Sequence, residues 1–239
     1  MRIVLLLLFA GCVVQEAGYY QTPMGGGPRR AGAQVSVRVQ FFGVPLDGAQ
    51  DVVFVLDRSG SMDGVTTGFA GTQLGMSQFK SELLGLGLDI LNDASGKHVP
   101  TKLAVAKAEL IRTLRAMPDG TRFNVIWFDD DIKTPSQRMM ILEPGNRQLV
   151  ERFISRINAG SSTAAVPALE AAYRMGARRV VLLSDGLANS GGDGDDMLAH
   201  ARVQMQHGVR FDTVGLGIDQ DARLLQRLAS ESGGVAMMR

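Results

Sequence analysis

The sequence predicts an open, mostly parallel, doubly wound α/β sheet with helices on both faces, and three observations predict it. Two segments, VVFVL at residues 52–56 and VVLL at residues 180–183, are apolar without a break, as strands covered on both faces are. Amphipathic segments lie between the strand-like ones: Leu103, Ala106, Leu110, Leu114 and Met117 share one helical face, and Leu149, Phe153 and Ile157 share another. Strand and helix patterns alternate along the chain, the order that builds a parallel sheet through helical crossovers.

Taken in order, the chain of 239 residues opens with MRIVLLLLFAG. Arg2 supplies a positive start, residues 3–9 an apolar run, and Ala10 and Gly11 small residues ahead of Cys12, the single cysteine. The stretch resembles a bacterial lipoprotein signal. That resemblance implies cleavage of residues 1–11, a lipid on Cys12 as the new N-terminus, and export to the cell envelope, facing the periplasm or the cell surface. With no second thiol, no disulfide is expected. The apolar run is about half the roughly 20 residues that a spanning helix needs. Residues 13–34, VVQEAGYYQTPMGGGPRRAGAQ, are rich in Gly, Pro and Gln and lack hydrophobic periodicity. With Cys12 they form a flexible tether, whose span is on the order of 25 Å.

The domain is expected over residues 35–239. VSVRVQF at 35–41 alternates apolar and polar residues, as an edge strand does. The strand at 52–56 follows, and then residues 63–100, which read as an insertion ahead of a helix beginning near Thr101. Within the insertion Phe79, Leu83, Leu86 and Ile90 have helical spacing, weakened by Gly85 and Gly87. Pro118, Asp119 and Gly120 stop the helix that starts near Thr101. Residues 123–128 and 211–216 read as further strands. Asp219 and Asp221 open a helix ending near Gly233, and residues 235–238 read as a closing strand.

Chemistry concentrates where the first buried strand ends, in DVVFVLDRSGSMD at residues 51–63. In a sheet of this class, ligands bind beyond the carboxyl ends of strands, where successive crossovers leave for opposite sides. Asp57 and Asp185 end two such strands, and in extended chain Asp57, Ser59 and Ser61 face one way. Clustered hard oxygens without His or Cys suit Mg²⁺, Mn²⁺ or Ca²⁺ better than zinc or copper. The segment DRSGS resembles the Asp-x-Ser-x-Ser signature of the von Willebrand factor type A domain, whose Rossmann-like sheet is the fold expected here. The resemblance implies a metal-ion-dependent adhesion site built from Asp57, Ser59, Ser61, Thr163 in AGSSTAAVPALEAA, and Asp185 in VVLLSDG. Ser162 stands where the family commonly has Gly. In that site the two aspartates hold coordinated waters or hydroxyls and leave Mg²⁺ open to a carboxylate of a protein partner, with no catalytic residue. The expectation is therefore a membrane-tethered, divalent-metal-dependent protein-binding module. In the adhesion-receptor branch of the family a further helix after the closing strand moves with the state of the metal site. None follows residues 235–238 here, so one affinity state is expected, with the insertion or residues 35–42 covering that part of the sheet.

Other classes fit less well. Lys and Arg number 25 against 24 Asp and Glu, with no basic run, so nucleic acid is not an expected partner. Gly215 with Gly217, Gly85 with Gly87, and Gly96 with Lys97 all lack the spacing of nucleotide-binding loops. A haloacid dehalogenase-type phosphohydrolase would carry a second Asp two residues after Asp57, where Ser59 stands. A scaffold with a vestigial metal site is the other alternative. Asp129, Asp130 and Asp131 read as a solvated turn, residues 190–196 as a helix cap rather than a calcium loop, and His200 and His207 as surface residues.

Overall fold

The computed structural model describes residues 38–65, 90–92, 98–185, 192–218 and 220–239. Cys12, the tether and the helical spacing at Phe79, Leu83 and Leu86 lie outside them. Among the described residues no helix is long and apolar enough to cross a membrane.

The expected architecture is present. Strand β1 (Gln40–Phe41) pairs antiparallel with β2 (Val44–Pro45). The buried strand β3 (Val52–Asp57) leads into a short 3-10 turn at Gly60–Asp63. Strands β4 (Ile90–Asn92) and β5 (His98–Pro100) pair antiparallel with each other. Helix α1 (Lys102–Ala116) then leads to β6 (Arg122–Phe128), β7 (Ile132–Lys133), β8 (Met140–Ile141) and helix α2 (Pro144–Ser155). Helix α3 (Ala165–Arg174), β9 (Arg179–Ser184), α4 (Gly194–Gln206), β10 (Arg210–Gly215), α5 (Ala222–Glu231) and β11 (Ala236–Met238) complete the order.

The main sheet runs β11-β10-β9-β3-β6-β7, with β8 also paired to β6. Its β11, β10, β9, β3 and β6 strands are parallel, whereas β7 and β8 run antiparallel to β6. Alternation along β3 divides the core. Val52, Phe54 and Leu56 pack with α1 and α2, and Val53 and Val55 pack with α3, α4 and α5 on the other face. The chain leaves β3 for β6 through α1 and leaves β9 for β10 through α4, so the crossovers diverge between neighbouring strands β3 and β9. The ends of these two strands therefore border the crevice of the sheet.

Local signals explain the element ends. Thr101 caps α1 by accepting from the Ala104 backbone N–H at 3.0 Å, and Met117 and Pro118 end it. Asp193 caps α4 in a reciprocal box with Asp196, and Asp221 caps α5 by accepting from Leu224 N–H. His200 and His207 are both exposed.

Three expectations are corrected. Of the edge strand expected over residues 35–41, the described residues 38–41 do not join the main sheet: they contain β1, which turns back on itself at Phe42 and Gly43, both with positive φ (48° and 90°). Two successive positive φ values are the geometry of a tight hairpin turn. Phe41, Val44 and Leu46 of that hairpin enter one cluster with α1, Val214 and Leu216, so residues 39–46 are the lid on that face of the sheet. In helix α2 the buried face runs through Val150 and Ile154 and on to Ile157, while Leu149 is 41% exposed; the apolar stripe lies one residue later than the spacing of Leu149 and Phe153 implied. Ile90 begins strand β4 and does not end a helix.

Candidate functional site

Three neighbouring strands, β9, β3 and β6, deliver aspartates to the same end of the sheet. Asp57 closes β3, Asp185 follows β9, and Asp129 follows β6. All three are buried.

Asp57 is enclosed by neutral donors. Its Oδ1 accepts from the Ser59 backbone N–H at 2.7 Å, and its Oδ2 accepts from Ser184 Oγ at 2.9 Å. Burial pushes the Asp57 carboxyl up to about 6, against the lowering pull of the Ser59 and Ser184 hydrogen bonds, and the charge of Asp185 adds to the rise. Among the described residues no Lys, Arg or His forms an ion pair with it.

The 3-10 turn that follows brings Ser59 Oγ and Ser61 Oγ to 3.1 Å from each other, and Ser61 Oγ donates to Asp185 Oδ1 at 2.7 Å. Asp57, Ser59 and Asp185 are buried while Ser61 is exposed, so the cluster opens to solvent at Ser61. The other oxygen of Asp185, Oδ2, accepts from Lys102 Nζ at 2.7 Å.

Thr163 is buried and arrives on a loop stitched to the serine turn by backbone hydrogen bonds. Gly60 N–H donates to Ser161 O at 3.0 Å, and Gly160 N–H donates to Arg58 O at 2.6 Å. A charge pair reinforces the seam: Arg58 Nη2 lies 2.5 Å from Asp129 Oδ1, and Arg58 Nη1 donates to Asn158 O. The Asp129 carbonyl accepts from Ala164 N–H at 3.0 Å, immediately after Thr163. Gly160 has to be glycine, because a Cβ there would overlap the Asp129 carboxylate. Asp130 accepts from Ser161 Oγ, and the hydroxyls of Ser161 and then Ser162 hold its carboxyl below the ordinary range. Ser162, the departure from the family's Gly, thus has a partner.

The expected turn at residues 129–131 exists between β6 and β7, but Asp129 is not solvated there: it is the buried tie between the serine turn and the threonine loop. Sequence reasoning also passed over Lys102, Ser184 and Arg58. Arg58 and Ser184 lie beside predicted site residues, so adjacency was an available signal for them. Lys102 offered none.

The donor set consists of hydroxyls and two carboxylates, with no His or Cys, and it fits a hard divalent cation. Among the described residues no three His, Cys, Asp or Glu side chains gather as a metal cage, in keeping with a cluster whose further oxygens come from Ser and Thr.

A doubly wound sheet with an acid-and-hydroxyl cluster at its switch point defines a recognisable class of ligand-binding domain. The model of the von Willebrand factor type A domain matches residues 88–238, and this chain belongs to that family. Domains of the family are typically metal-dependent adhesion or protein-binding modules. Among solved structures, the chain is similar to a von Willebrand factor type A protein from Catenulispora acidiphila (18% identity, TM-score 0.58), over 79% of this chain and 38% of that one. It is also similar to the PilB minor pilin from Streptococcus sanguinis (15% identity, TM-score 0.53), over 79% of this chain and 56% of the pilin. A third likeness, to the conserved hypothetical protein BatB from Bacteroides thetaiotaomicron (16% identity, TM-score 0.52), covers 79% and 89% respectively. The matched region is thus less than two thirds of the first two proteins. At these identities the likeness is one of fold.

Proposed function

We propose that this protein is a divalent-metal-dependent protein-binding module, held at a membrane by a lipid on Cys12, that offers its site to an Asp or Glu carboxylate of a partner. Asp57, Ser59, Ser61, Thr163 and Asp185 would hold the ion, Mg²⁺ first, with Mn²⁺ or Ca²⁺ as substitutes. The observation that carries the reading is the meeting of chain segments at Ser61, whose Oγ lies 3.1 Å from Ser59 Oγ and 2.7 Å from Asp185 Oδ1. Bound there, the ion supplies an electrophilic centre with exchangeable positions for a partner's oxygen.

The residues perform separate tasks. Asp57 contributes charge from a buried position, with its orientation fixed by Ser59 N–H and Ser184 Oγ. The seam between Arg58, Asp129 and Gly160 holds the threonine loop against the serine turn. Ser61, exposed at the mouth, marks the side from which a partner approaches.

Thermal unfolding of the full chain tests the reading, because an ion that binds only the native state raises the midpoint by mass action. Mg²⁺ or Mn²⁺ should raise it, and Asp57→Ala should abolish the response; a response that survives in Asp57→Ala places the ion elsewhere. Mass spectrometry of membrane-fraction protein should find a diacylglycerol-modified Cys12 at the N-terminus, and a chain still beginning at Met1 refutes the anchor. Pull-down from envelope extract should recover a partner in Mg²⁺ and lose it in chelator.

A further inference from the structure

Lys102 stands where a lysine is unfavourable. It is the first residue of helix α1, and helix N-termini attract negative charge and repel positive charge. Its backbone N–H donates to Gly64 O at 3.0 Å, which fixes the start of the helix against the end of the serine turn. Its side chain then reaches back to Asp185 Oδ2 at 2.7 Å and is largely buried there, 12% exposed beside a carboxylate that is 0% exposed. Gly217, with φ of +86°, leaves room for it: a Cβ at that position would lie 3.0 Å from Lys102 Cε and Nζ. A helix start, a glycine and a buried carboxylate together form a slot for this ammonium.

We propose, on the basis of the metal-site reading above, that Lys102 sets the charge of that site. Its ammonium takes one oxygen of Asp185 and leaves the other to orient Ser61, so the charge that Asp185 brings to the cluster is opposed by a cation. Asp57 is then the one carboxylate whose charge the described residues leave without a cation. Two consequences follow from electrostatics. The site holds a divalent ion more weakly than one with two free carboxylates, because a like charge stands beside it. A held ion also keeps more of its own charge for an external carboxylate. Lys102 thus exchanges resident metal affinity for attraction toward an acidic partner.

Two roles for Lys102 predict opposite signs. If it only orients Asp185, removing it loosens the site and weakens metal binding; if its charge dominates, removing it tightens metal binding. Mn²⁺ titration of the full chain, read by the electron paramagnetic resonance signal of free Mn²⁺, separates them. Lys102→Met is expected to bind Mn²⁺ on the order of tenfold more tightly than wild type, from the loss of a like charge a few ångströms away, and Lys102→Arg, which keeps the charge, is expected to stay near wild type. Circular dichroism checks that the variants fold, and Lys102→Gln serves in place of the Met variant if that one does not. Asp57-dependent binding in wild type with equal or weaker binding in the neutral Lys102 variants overturns the proposal and leaves the metal site standing. Uptake by Lys102→Met alone supports the lysine's role and refutes a metal-dependent wild type. No uptake by either overturns both.

Discussion

The central aspartate of the candidate site and the two that flank it lie within one residue of each other in register at the ends of adjacent strands, yet their surroundings are opposite. Asp129 on the β6 side faces a guanidinium, and Asp185 on the β9 side faces an ammonium. Asp57, between them, has only hydroxyl and amide donors. Each flanking carboxylate meets a cation within the protein. The central one is buried with its neutralisation incomplete, which is why its carboxyl is pushed up to about 6. The same residue type at one end of the sheet thus meets different electrostatic surroundings according to what faces it.

The largest effect should come from breaking a flank. Arg58→Met leaves the Asp129 carboxylate buried without its cation and should cost about 3 to 5 kcal/mol, measured as a fall in the urea midpoint at pH 7. A change within 1 kcal/mol would show that Asp129 is not held by this pair. The same variant removes the charge pair that reinforces the backbone seam between the threonine loop and the serine turn, so its Mn²⁺ affinity should fall as well.

Removing the central charge should have the opposite sign. Asp57 ordinarily titrates near 3.8 and is raised to about 6 in the folded chain, so between these values the native state binds more protons than the unfolded one. The metal-free protein therefore loses stability as pH rises through that window, and the loss is complete above it. Asp57→Asn should match wild type near pH 4 and exceed it by roughly 2 to 3 kcal/mol at pH 7. Parallel stability curves for the two proteins would refute the assignment. Mg²⁺ should narrow the gap in wild type and leave the Asn variant unmoved.

The smallest change sharpens the comparison. Ser184→Ala removes the hydrogen bond to Asp57 Oδ2 and should cost about 1 kcal/mol at pH 7. It should also move the Asp57 titration, followed by carboxyl-carbon NMR, further upward. A downward movement would mean that Ser184 does not stabilise the charged form.

Much of the scaffold was legible in the sequence because its strongest signals are local. Unbroken apolar runs mark β3 and β9, whose two faces both need covering, and Thr101, Asp193 and Asp221 cap helices through bonds that span three residues or fewer. The Asp-x-Ser-x-Ser spacing is local in the same sense. The missed features depend on chain crossings. Lys102 meets Asp185 across 83 positions, and Arg58 meets Asp129 across 71, so the pairing itself leaves no trace in either neighbourhood. Three consecutive aspartates read as a solvated turn because nothing in them discloses that a threonine loop will close over the first. The alternation at residues 35–41 did imply extended chain, but Phe42 at positive φ is a conformation that a bulky residue rarely takes, so a reversal there had no sequence signal.

That reversal also decides how the domain carries mechanical load. Chain arriving at Arg38 passes directly into the hairpin, and Arg239 donates from Nε and Nη2 to the Phe42 carbonyl at 3.1 and 2.9 Å. A pull from the N-terminal side is therefore borne first by the seating of Phe41 and Phe42 in the core and by this clamp, which passes it to β11. Strand β11 lies at one edge of the sheet, with β10 and β9 between it and β3. Tension that passes through the clamp meets the periphery of the sheet, whereas tension that runs along the backbone reaches the strand of Asp57 through residues 46–51.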